Sequence, residues 1–389
     1  MPLYLRLLTP VLDRVRLGTL HVRWTDGREW SFGSCATPGI EATVVVRDPA
    51  AVTRSILGGA VGFAEGYIRG EWDSPDLVAL LDLACRNMPS ATLVRRTAVL
   101  KTAGYRISHA ARRNTRRGSR RNIAAHYDLG NDFYRLWLDP SMTYSCALFD
   151  GAGDTLEAAQ VRKWDALLDL ISPGPGDSLL EIGCGWGGFA IHAAKTRGVR
   201  VTGVTVSEEQ AAWSRRAVEV AGVADRVEIR LQDYRDIGGT YDHIASIEMF
   251  EAVGESYWPT FFRTLRERLR PGGIAALQVI TIADERFADY RRHPDFIQRY
   301  VFPGGMLPSP SAFRQVAEMA GLAVGTMRMF GADYDMTVAE WQRRFECALA
   351  EVRGLGFDER FERVWRYYLA YCQAGFRNQM CDVMQVALR

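Results

Sequence analysis

One feature constrains this chain most: a short apolar strand runs into a glycine-rich turn, which opens a helix. The strand Ser178 to Ile182 leads into Glu181-x-Gly183-x-Gly185-x-Gly187. Glycines allow the backbone to turn sharply and to approach a ligand closely. The helix start adds free N–H groups and a positive potential. The spacing does not match the G-x-G-x-x-G pattern of a phosphate loop. An acid just before the first glycine suits the cationic amino and sulfonium groups of S-adenosylmethionine, so the turn predicts a site for that cofactor.

The sequence around this turn alternates short apolar strands with helices. The predicted strands are 178–182, 200–206, 227–231, 243–247 and 274–282, and the predicted helices between them are 189–195 and 208–220. Such alternation favours a parallel sheet with helices on both faces. Residues 382–388 predict a late edge strand. The expected class is therefore α/β, with a mostly parallel sheet covered by helices.

A different pattern precedes residue 111 and predicts a small separate α+β domain. Helical spacing covers residues 4–15, and a hairpin with a turn at Asp26-Gly27 covers 19–32. A strand at 41–47 and helices at 76–84 and 91–100 follow. The chain is thus divided into an N-terminal domain (1–110), a basic linker (111–121) and a larger domain (122–389).

The composition says little about the fold, but it limits the classes of partner that the chain is expected to bind. Of 389 residues, 48% are apolar and 24% are charged, which is ordinary for a globular chain. Seven arginines and no carboxylate lie between Arg106 and Arg121. This basic segment indicates a polyanionic partner such as lipid phosphate or nucleic acid. A solvent-exposed linker without a partner explains the segment equally well. Seven scattered cysteines without a CxxC pair favour reduced thiols and give no zinc or other metal site. We find no secretion signal and no apolar run long enough to span a membrane, so membrane contact is expected to be peripheral.

Other candidate residues follow the predicted strands. Thr205 and Gln210 flank the end of the second strand, where a cofactor ribose would lie. Gln232 and Asp233 end the third strand, where an adenine amino group could be read. Residues 283–309, rich in Arg, Tyr, Phe and Pro, follow a strand at the sheet edge where α/β proteins bind ligands. They are expected to form a helical substrate cover, with a long surface loop as the alternative.

Several ordered motifs give the chain a family resemblance. They include His126-Tyr127-Asp128-Leu129-Gly130-Asn131, Tyr144-Ser145-Cys146-Ala147, Met249-Phe250-Glu251-Ala252-Val253-Gly254, Phe302-Pro303-Gly304-Gly305 and Gly331-Ala332-Asp333-Tyr334-Asp335. Together with the glycine turn, they make residues 122–389 resemble the cyclopropane-fatty-acyl-phospholipid synthase family, which includes the mycolic-acid methyltransferases. A weaker match covers Glu65 to Trp72. The resemblance implies a Rossmann-like sheet of the class I methyltransferase type in a methyltransferase domain at 122–389, and a lipid-binding or dimerisation role for the N-terminal domain at 1–110.

The resemblance implies a reaction and a set of site residues. Methylation would occur at a cis double bond of a lipid acyl chain, through a carbocation that loses a proton to a bound bicarbonate ion. The resemblance places around S-adenosylmethionine, besides Glu181 and Gly187, the residues Tyr127, Tyr144, Ser145, Gly183, Gly185, Thr205, Gln210, Gln232 and Asp233. Around bicarbonate it places Cys146, Glu251, Ile280 and Tyr334.

The chemistry of such a reaction agrees with these residue types. A carbon nucleophile needs no Ser/His or Cys/His dyad, so Cys146 is expected to be a wall of the site and Glu251 a positioning residue. Aromatic faces stabilise a cation in a dry cavity. Candidates for this role are Tyr144, Phe250, Trp258, Tyr300, Phe302 and Tyr334.

Three departures from the family pattern concern the catalytic residues. Gln278 stands where His is usual, Ala252 follows the catalytic Glu251 where His is common, and Glu248 stands where Gly is common. Gln can donate a hydrogen bond to an anion but cannot titrate. The anion could therefore sit differently, or a different proton could leave. We expect the product to shift from a cyclopropane toward a mid-chain methyl or methylene branch.

The expected partners are unsaturated phospholipid acyl chains and an anionic membrane surface. The resemblance implies a cytoplasmic protein at the inner leaflet of the cell membrane and a homodimer. A nucleic-acid methyltransferase is the first alternative, but the chain has no Asn-Pro-Pro-Tyr loop or paired-Cys signature, so no nucleic-acid partner is expected. The second is a lipid-binding protein of this fold without catalytic activity, which the intact turn, Glu251 and Tyr334 disfavour.

Overall fold

The computed structural model describes residues 3–34, 39–87, 115, 118, 129–151 and 153–389. Its helices are α1 Leu3–Leu12, α2 Ala50–Ile68, α3 Leu77–Asn87, α4 Asn131–Arg135, α5 Leu156–Ile171, α6 Gly188–Arg197, α7 Glu208–Val220, α8 Trp258–Arg268, α9 Asp284–Tyr290, α10 Phe296–Tyr300, α11 Pro310–Met319, α12 Gly331–Cys347, α13 Leu349–Gly354 and α14 Glu359–Arg377. Its strands are β1 Gly18–Arg23, β2 Glu29–Ser34, β3 Glu41–Val46, β4 Trp72–Asp73, β5 Ser178–Ile182, β6 Arg200–Thr205, β7 Val227–Leu231, β8 Tyr241–Ile247, β9 Leu269–Ile282, β10 Val324–Met329 and β11 Cys381–Leu388. Tyr127, the predicted helix 91–100 and most of the basic linker lie outside the described residues.

The chain divides into two compact units. The first contains residues 1–111, 289–301 and 352–380, and the second contains 112–288, 302–351 and 381–389. Two segments that the sequence division assigned to the methyltransferase domain, among them α14, therefore belong to the first unit. The division at residues 110 and 122 itself remains a prediction.

The first unit contains a four-stranded sheet in the order β2-β1-β3-β4. Strands β1 and β2 form the expected antiparallel hairpin, and β3 pairs with β1 in parallel. Helix α14 is part of this unit and contacts α2 through the buried Arg363. The Arg363 guanidinium lies 4.0 Å above the Tyr67 ring, and its Nε donates to the Tyr67 carbonyl. Asn378 donates to the buried Asp82 at 2.7 Å.

The second unit contains a seven-stranded sheet in the order β10-β11-β9-β8-β5-β6-β7. Strands β5 to β9 pair in parallel, whereas β10 and β11 are antiparallel. This confirms the α/β class and the Rossmann-like sheet. Residues 382–388 do form a strand, but the prediction that it is an edge strand is wrong. Strand β11 pairs with β9 on one side and with β10 on the other, and β10 forms the edge of the sheet.

The predicted strands and helices around the glycine turn are confirmed. Helix α7 begins at its predicted residue because the Ser207 side chain caps the N–H of Gln210. Strand β5 is buried on four of five residues, as expected for a strand with helices on both faces. Its neighbours are β6 on one side and β8 on the other. Strands β6 and β7 therefore extend the sheet on one side of β5, and strands β8 and β9 extend it on the other side. In open α/β sheets the ligand binds at the carboxyl ends of the strands at such a point.

The expected cover, residues 283–309, contains two short helices, α9 and α10, and is divided between the two units. Its role over a substrate stays a prediction. No helix among the described residues has the length and apolar character needed to cross a membrane.

Candidate active site

The glycine turn has the close-approach geometry that its sequence predicts. Gly183 has φ of 84°, and a Cβ at this position would lie 2.7 Å from Cγ of Met249. The N–H groups of Gly183 and Cys184 both donate to the carbonyl of Val204, at 2.9 and 3.0 Å. Gly187, with φ of 89°, is the N-cap of α6. The turn thus joins β5 to a helix start through glycines, and at Gly183 it packs too closely on Met249 to admit a side chain.

Glu181, at the end of β5, is a buried carboxyl group beside this turn. Its Oε2 atom has no hydrogen-bond partner among the described residues. Burial raises the pKa of Glu181 to about 8, opposed by the charge of Lys163. A buried acceptor without a partner is costly unless a ligand supplies a donor. Glu181 therefore fits a cationic or hydrogen-bond-donating group bound at the turn.

The ends of β6 and β7 bring the four polar candidates to the same sheet edge. Thr205 Oγ1 donates to Gln210 Oε1 at 2.9 Å, and both side chains are buried. The N–H of Gln232 donates to the carbonyl of Thr205, also at 2.9 Å. The Asp233 carboxylate is held by the Arg235 guanidinium at 2.6 and 2.8 Å. Asp233 is thus an oriented acid whose charge is already paired.

The segment before α5 brings two more candidates together. The Tyr144 ring packs against Trp341 and Phe302, with ring centroids 5.3 and 6.2 Å apart. The Ser145 hydroxyl accepts a hydrogen bond from Nζ of the buried Lys163 at 2.7 Å. Burial lowers the pKa of Lys163 to about 8.

These residues fit S-adenosylmethionine. The close-approach turn could hold its amino-acid end, the unpartnered Glu181 oxygen could accept from a cationic group, and Thr205, Gln210 and Gln232 provide polar atoms at the sheet edge. The cofactor, when bound, supplies an electrophilic methyl group.

A second cluster surrounds Glu248, and we call it the carboxylate centre: Cys146, Glu248, Glu251, Gln278, Ile280 and Tyr334. Oε1 of Glu248 accepts from the N–H of Cys146 at 2.9 Å and from Nε2 of Gln278 at 2.8 Å. Oε2 of Glu248 accepts from the Tyr334 hydroxyl at 2.6 Å. Three donors from three separate parts of the chain thus converge on one carboxylate.

A neighbouring amide fixes the orientation of Gln278. Gln385 lies opposite Gln278 in the β9–β11 ladder, and its Nε2 donates to Gln278 Oε1 at 3.1 Å and to the Lys163 carbonyl at 3.0 Å. Since Gln278 Oε1 accepts from Gln385, its Nε2 must face the other way, toward Glu248 and the Cys146 carbonyl. The residue that replaces the usual histidine is therefore an oriented donor.

Glu251 is the second acid of the carboxylate centre. Its Oε1 accepts from the N–H of Ile280, and its buried Oε2 has no partner among the described residues. Burial and the nearby charge of Glu248 raise the pKa of Glu251 to about 8. At neutral pH it is therefore mostly a protonated acid, whereas the three donors on Glu248 favour the ionised form of that carboxyl group and burial opposes it.

The residues present do not fit a free bicarbonate ion. The Cys146 N–H, the Gln278 amide and the Tyr334 hydroxyl would be its donors, and all three already donate to Glu248. A bicarbonate there would also bring a second anion against this carboxylate. No step through bicarbonate follows from this structure.

The Cys146 thiol is not activated as a nucleophile, because burial and the charge of Glu248 outweigh the opposing effects of Lys163 and Thr337. Its Sγ is buried and donates to the carbonyl of Ala147 at 3.2 Å. Burial and the charge of Glu248 raise its pKa well above the ordinary value. The sulfur is therefore a neutral thiol at neutral pH, and the residue contributes its backbone N–H to the centre.

Some aromatic candidates lie together and others do not. Trp341, which sequence reasoning missed, links Tyr144 to Tyr334, and Phe302 packs on Tyr144. Phe250 and Trp258 instead stack on each other inside an apolar core cluster, and both are almost fully buried. The Tyr300 hydroxyl donates to Glu65 within the first unit.

Sequence reasoning also missed the roles of Lys163 and Gln385, and it identified Glu248 only as a departure. Gln385 lies 107 residues from Gln278, the residue of the carboxylate centre to which it donates. Its one sequence signal is a polar side chain in an apolar stretch, between Met384 and Val386. Lys163 follows Arg162 and precedes Trp164 and Asp165, so its burial has no such signal.

Comparisons with known proteins agree with this geometry. The model of the mycolic acid cyclopropane synthetase family matches residues 114–386. Tuberculostearic acid methyltransferase UfaA1 of Mycobacterium tuberculosis is 40% identical over 377 residues, which cover 95% of this chain and 87% of that protein. Cyclopropane-fatty-acyl-phospholipid synthase of Escherichia coli K12 is 36% identical over 349 residues, covering 89% and 87%.

A solved structure shows the same cofactor fold. The crystal structure of mycolic acid cyclopropane synthase CmaA1 complexed with SAH and CTAB superposes with a TM-score of 0.65 at 31% identity, covering 69% of this chain and 97% of that one. With the glycine turn, the free Glu181 oxygen and the family match over most of its length, this chain belongs to the mycolic acid cyclopropane synthetase family and is an S-adenosylmethionine-dependent methyltransferase.

Proposed function

We propose that this protein transfers the methyl group of S-adenosylmethionine to a carbon of a cis double bond in an unsaturated phospholipid acyl chain. The reaction passes through a carbocation on the chain. The product is a mid-chain methyl- or methylene-branched acyl chain in preference to a cyclopropane.

The observation that carries this proposal is the carboxylate centre beside linked aromatic rings. Tyr334 joins the two, because its hydroxyl binds Glu248 and its ring lies 6.0 Å from that of Trp341. Aromatic faces and a buried anion both stabilise positive charge in a dry site. The neutral Cys146 thiol argues against covalent catalysis, and an alkene needs no activated nucleophile of the protein.

The relatives support a lipid substrate and a branched product. They are named for cyclopropane formation on phospholipid acyl chains or mycolic acids, and for tuberculostearic acid methylation. Tuberculostearic acid methyltransferase UfaA1 carries the name of a methyl transfer rather than of a cyclopropane synthase.

The test is turnover by the purified protein. We expect vesicles of cis-monounsaturated phospholipid to give S-adenosylhomocysteine and an acyl chain heavier by one CH2 group, measured by mass spectrometry. Saturated phospholipid of equal chain length is the control and should give neither. No transfer to any unsaturated acyl chain, free or esterified, would refute the proposal.

A companion proposal concerns where the protein works. We propose that it acts as a homodimer, bound peripherally to the anionic inner leaflet of the cell membrane through the basic linker. Each Arg near such a surface contributes roughly 1 kcal/mol at modest salt. Cosedimentation with anionic vesicles should weaken with added salt, and also on replacing Arg116, Arg117, Arg120 and Arg121 by Ala. Vesicle binding that changes neither with salt nor with the Arg-to-Ala substitutions would contradict the proposed role of the linker. A monomer in sedimentation velocity would contradict the proposed homodimer.

A further inference from the structure

We infer that the Glu248 carboxylate is itself the proton acceptor of the reaction and takes the place of a free bicarbonate ion. The inference rests on the proposed function, since it names the group that removes the proton from the methylated chain. It follows from the observation that Glu248 uses the donors that a bicarbonate ion would need.

The hydrogen bonds of Glu248 leave one acceptor position. A carboxylate has about four lone-pair positions in its plane. Oε1 uses two, for Cys146 and Gln278, and Oε2 uses one, for Tyr334. One lone pair of Oε2 therefore remains for a proton. Glu248 is a partly buried residue, and its hydrogen bonds with Gln278 and Tyr334 are also only partly buried.

The backbone at Glu248 shows that a carboxylate is kept there at a cost. Its φ is 48°, in the left-handed region that favours glycine. A side chain with this backbone typically costs about 1–3 kcal/mol. Glycine would remove the strain, and glycine is common here in the family that the sequence resembles. The strain is offset by the three hydrogen bonds, which no other side chain of this length would make as an anion.

The charges around Glu248 allow a base there. Glu251 mostly holds its own proton at neutral pH, so the pair carries at most one negative charge. Lys163 attracts that charge, whereas burial disfavours it and raises the pKa of Glu248. A carboxylate with a raised pKa is a stronger proton acceptor than an exposed one.

The chemical step balances without another reactant. The alkene π pair forms the new bond to the methyl carbon, and the departing sulfur keeps the electron pair of its broken bond. Glu248 then accepts a proton from the chain carbon next to the cation. The electron pair of that C–H bond becomes a new double bond, and Glu248 returns the proton to water after the product leaves.

The decisive variant is Glu248→Gly, which removes the carboxylate, suits the positive φ and frees the three donors. Without bicarbonate we expect its turnover to fall at least about 100-fold, the lower range for losing a general base. Millimolar bicarbonate should restore much of it. Glu248→Gln should lose as much activity and show no rescue, because the amide still fills the position. Wild-type turnover should not change when carbon dioxide and bicarbonate are removed.

Gln379→Gly is the matched control. Gln379 is exposed and has φ of 54°, so glycine relieves a similar strain far along the chain from the carboxylate centre. This variant should keep wild-type turnover and show no response to bicarbonate.

A binding measurement gives a readout that does not depend on turnover. In 13C NMR titrations without cofactor, labelled bicarbonate should bind Glu248→Gly and not the wild type. Wild-type activity that requires bicarbonate, or Glu248→Gly activity that does not fall, would overturn the inference while leaving the proposed function intact. A wild type without any lipid methylation would instead refute the proposed function, and the NMR result would then still decide whether Glu248 occupies an anion site.

Discussion

Replacing Glu251 by Gln should make the protein more stable at pH 8 than the wild type, and the gain should disappear toward pH 5. The folded protein holds the pKa of Glu251 at about 8, against an ordinary value of 4.5. Between those two pH values the folded protein keeps a proton that the unfolded chain releases. The stability of the wild type therefore falls as pH rises through this window. Gln cannot titrate, keeps an oxygen to accept from the N–H of Ile280, and escapes this loss.

The size of the effect follows from the same two values. A difference of 3.5 pH units (8 minus 4.5) corresponds to about 5 kcal/mol at 1.36 kcal/mol each. Glu251 keeps some exposure, and solvent screening reduces the difference. We expect a gain in the free energy of unfolding of about 2 kcal/mol at pH 8 and near zero at pH 5. For a unit of this size that is about 4 to 8 °C in Tm.

The assay is thermal unfolding at pH 5, 6, 7 and 8, followed by near-ultraviolet circular dichroism. The pKa of Glu340 is lowered to about 2 by Arg343 and Arg344, so Glu340→Gln should differ from the wild type by a constant amount across this range. Glu181 titrates in the same window but is present in both proteins, so its contribution cancels. A Glu251→Gln difference that does not grow with pH would show that Glu251 is ionised at neutral pH and refute the assignment of a single charge to the acid pair.

Three further predictions concern single contacts. Gly183→Ala should weaken S-adenosylmethionine binding by about tenfold or more in calorimetry, because its Cβ would lie 2.7 Å from Met249 Cγ at a positive φ; unchanged affinity would refute the close approach. Gln385→Leu should lower kcat by about fivefold, the value of one hydrogen bond, without changing the KM for the cofactor, because Gln278 loses its fixed orientation; a change in KM alone would contradict this. Iodoacetamide at pH 8 should alkylate the exposed Cys347 but not the buried, neutral Cys146 in peptide mass spectrometry; rapid labelling of Cys146 would mean an activated thiol.

Local patterns were enough to predict the fold around the cofactor. Strand β5, the glycine turn and helix α7 each depend on residues close in sequence, so alternation, glycine content and a Ser207 cap predicted their bounds closely. The position of β11 was wrong because strand order depends on a partner, β10, whose exposed residues give no strand pattern. Helix α14 is strongly amphipathic but was not predicted, and its membership in the first unit depends on long-range contacts such as Arg363 with Tyr67.

The carboxylate centre was only half accessible to sequence reasoning. The resemblance named Cys146 and Tyr334, and Gln278 was noted as a departure from it. Their hydrogen bonds to Glu248 form because the segment before α5, strand β9 and helix α12 meet the end of β8 in space. Glu248 was visible as a substitution for glycine, yet nothing in the sequence shows that its carboxylate fills an anion position. Phe250 was chosen as a site residue on its aromatic character alone, and burial places it in the core.

Isotope labelling of the lipid product tests the central claim most directly. The purified protein is supplied with S-adenosylmethionine that carries a trideuterated methyl group, together with cis-monounsaturated phospholipid vesicles. If Glu248 removes a proton from the acyl chain, mass spectrometry should find a methyl-branched chain that keeps all three deuterium atoms. A cyclopropane or a methylene-branched chain that has lost one deuterium would contradict proton removal from the acyl chain by Glu248, and an absence of label from the acyl chains would contradict the proposed function as a whole.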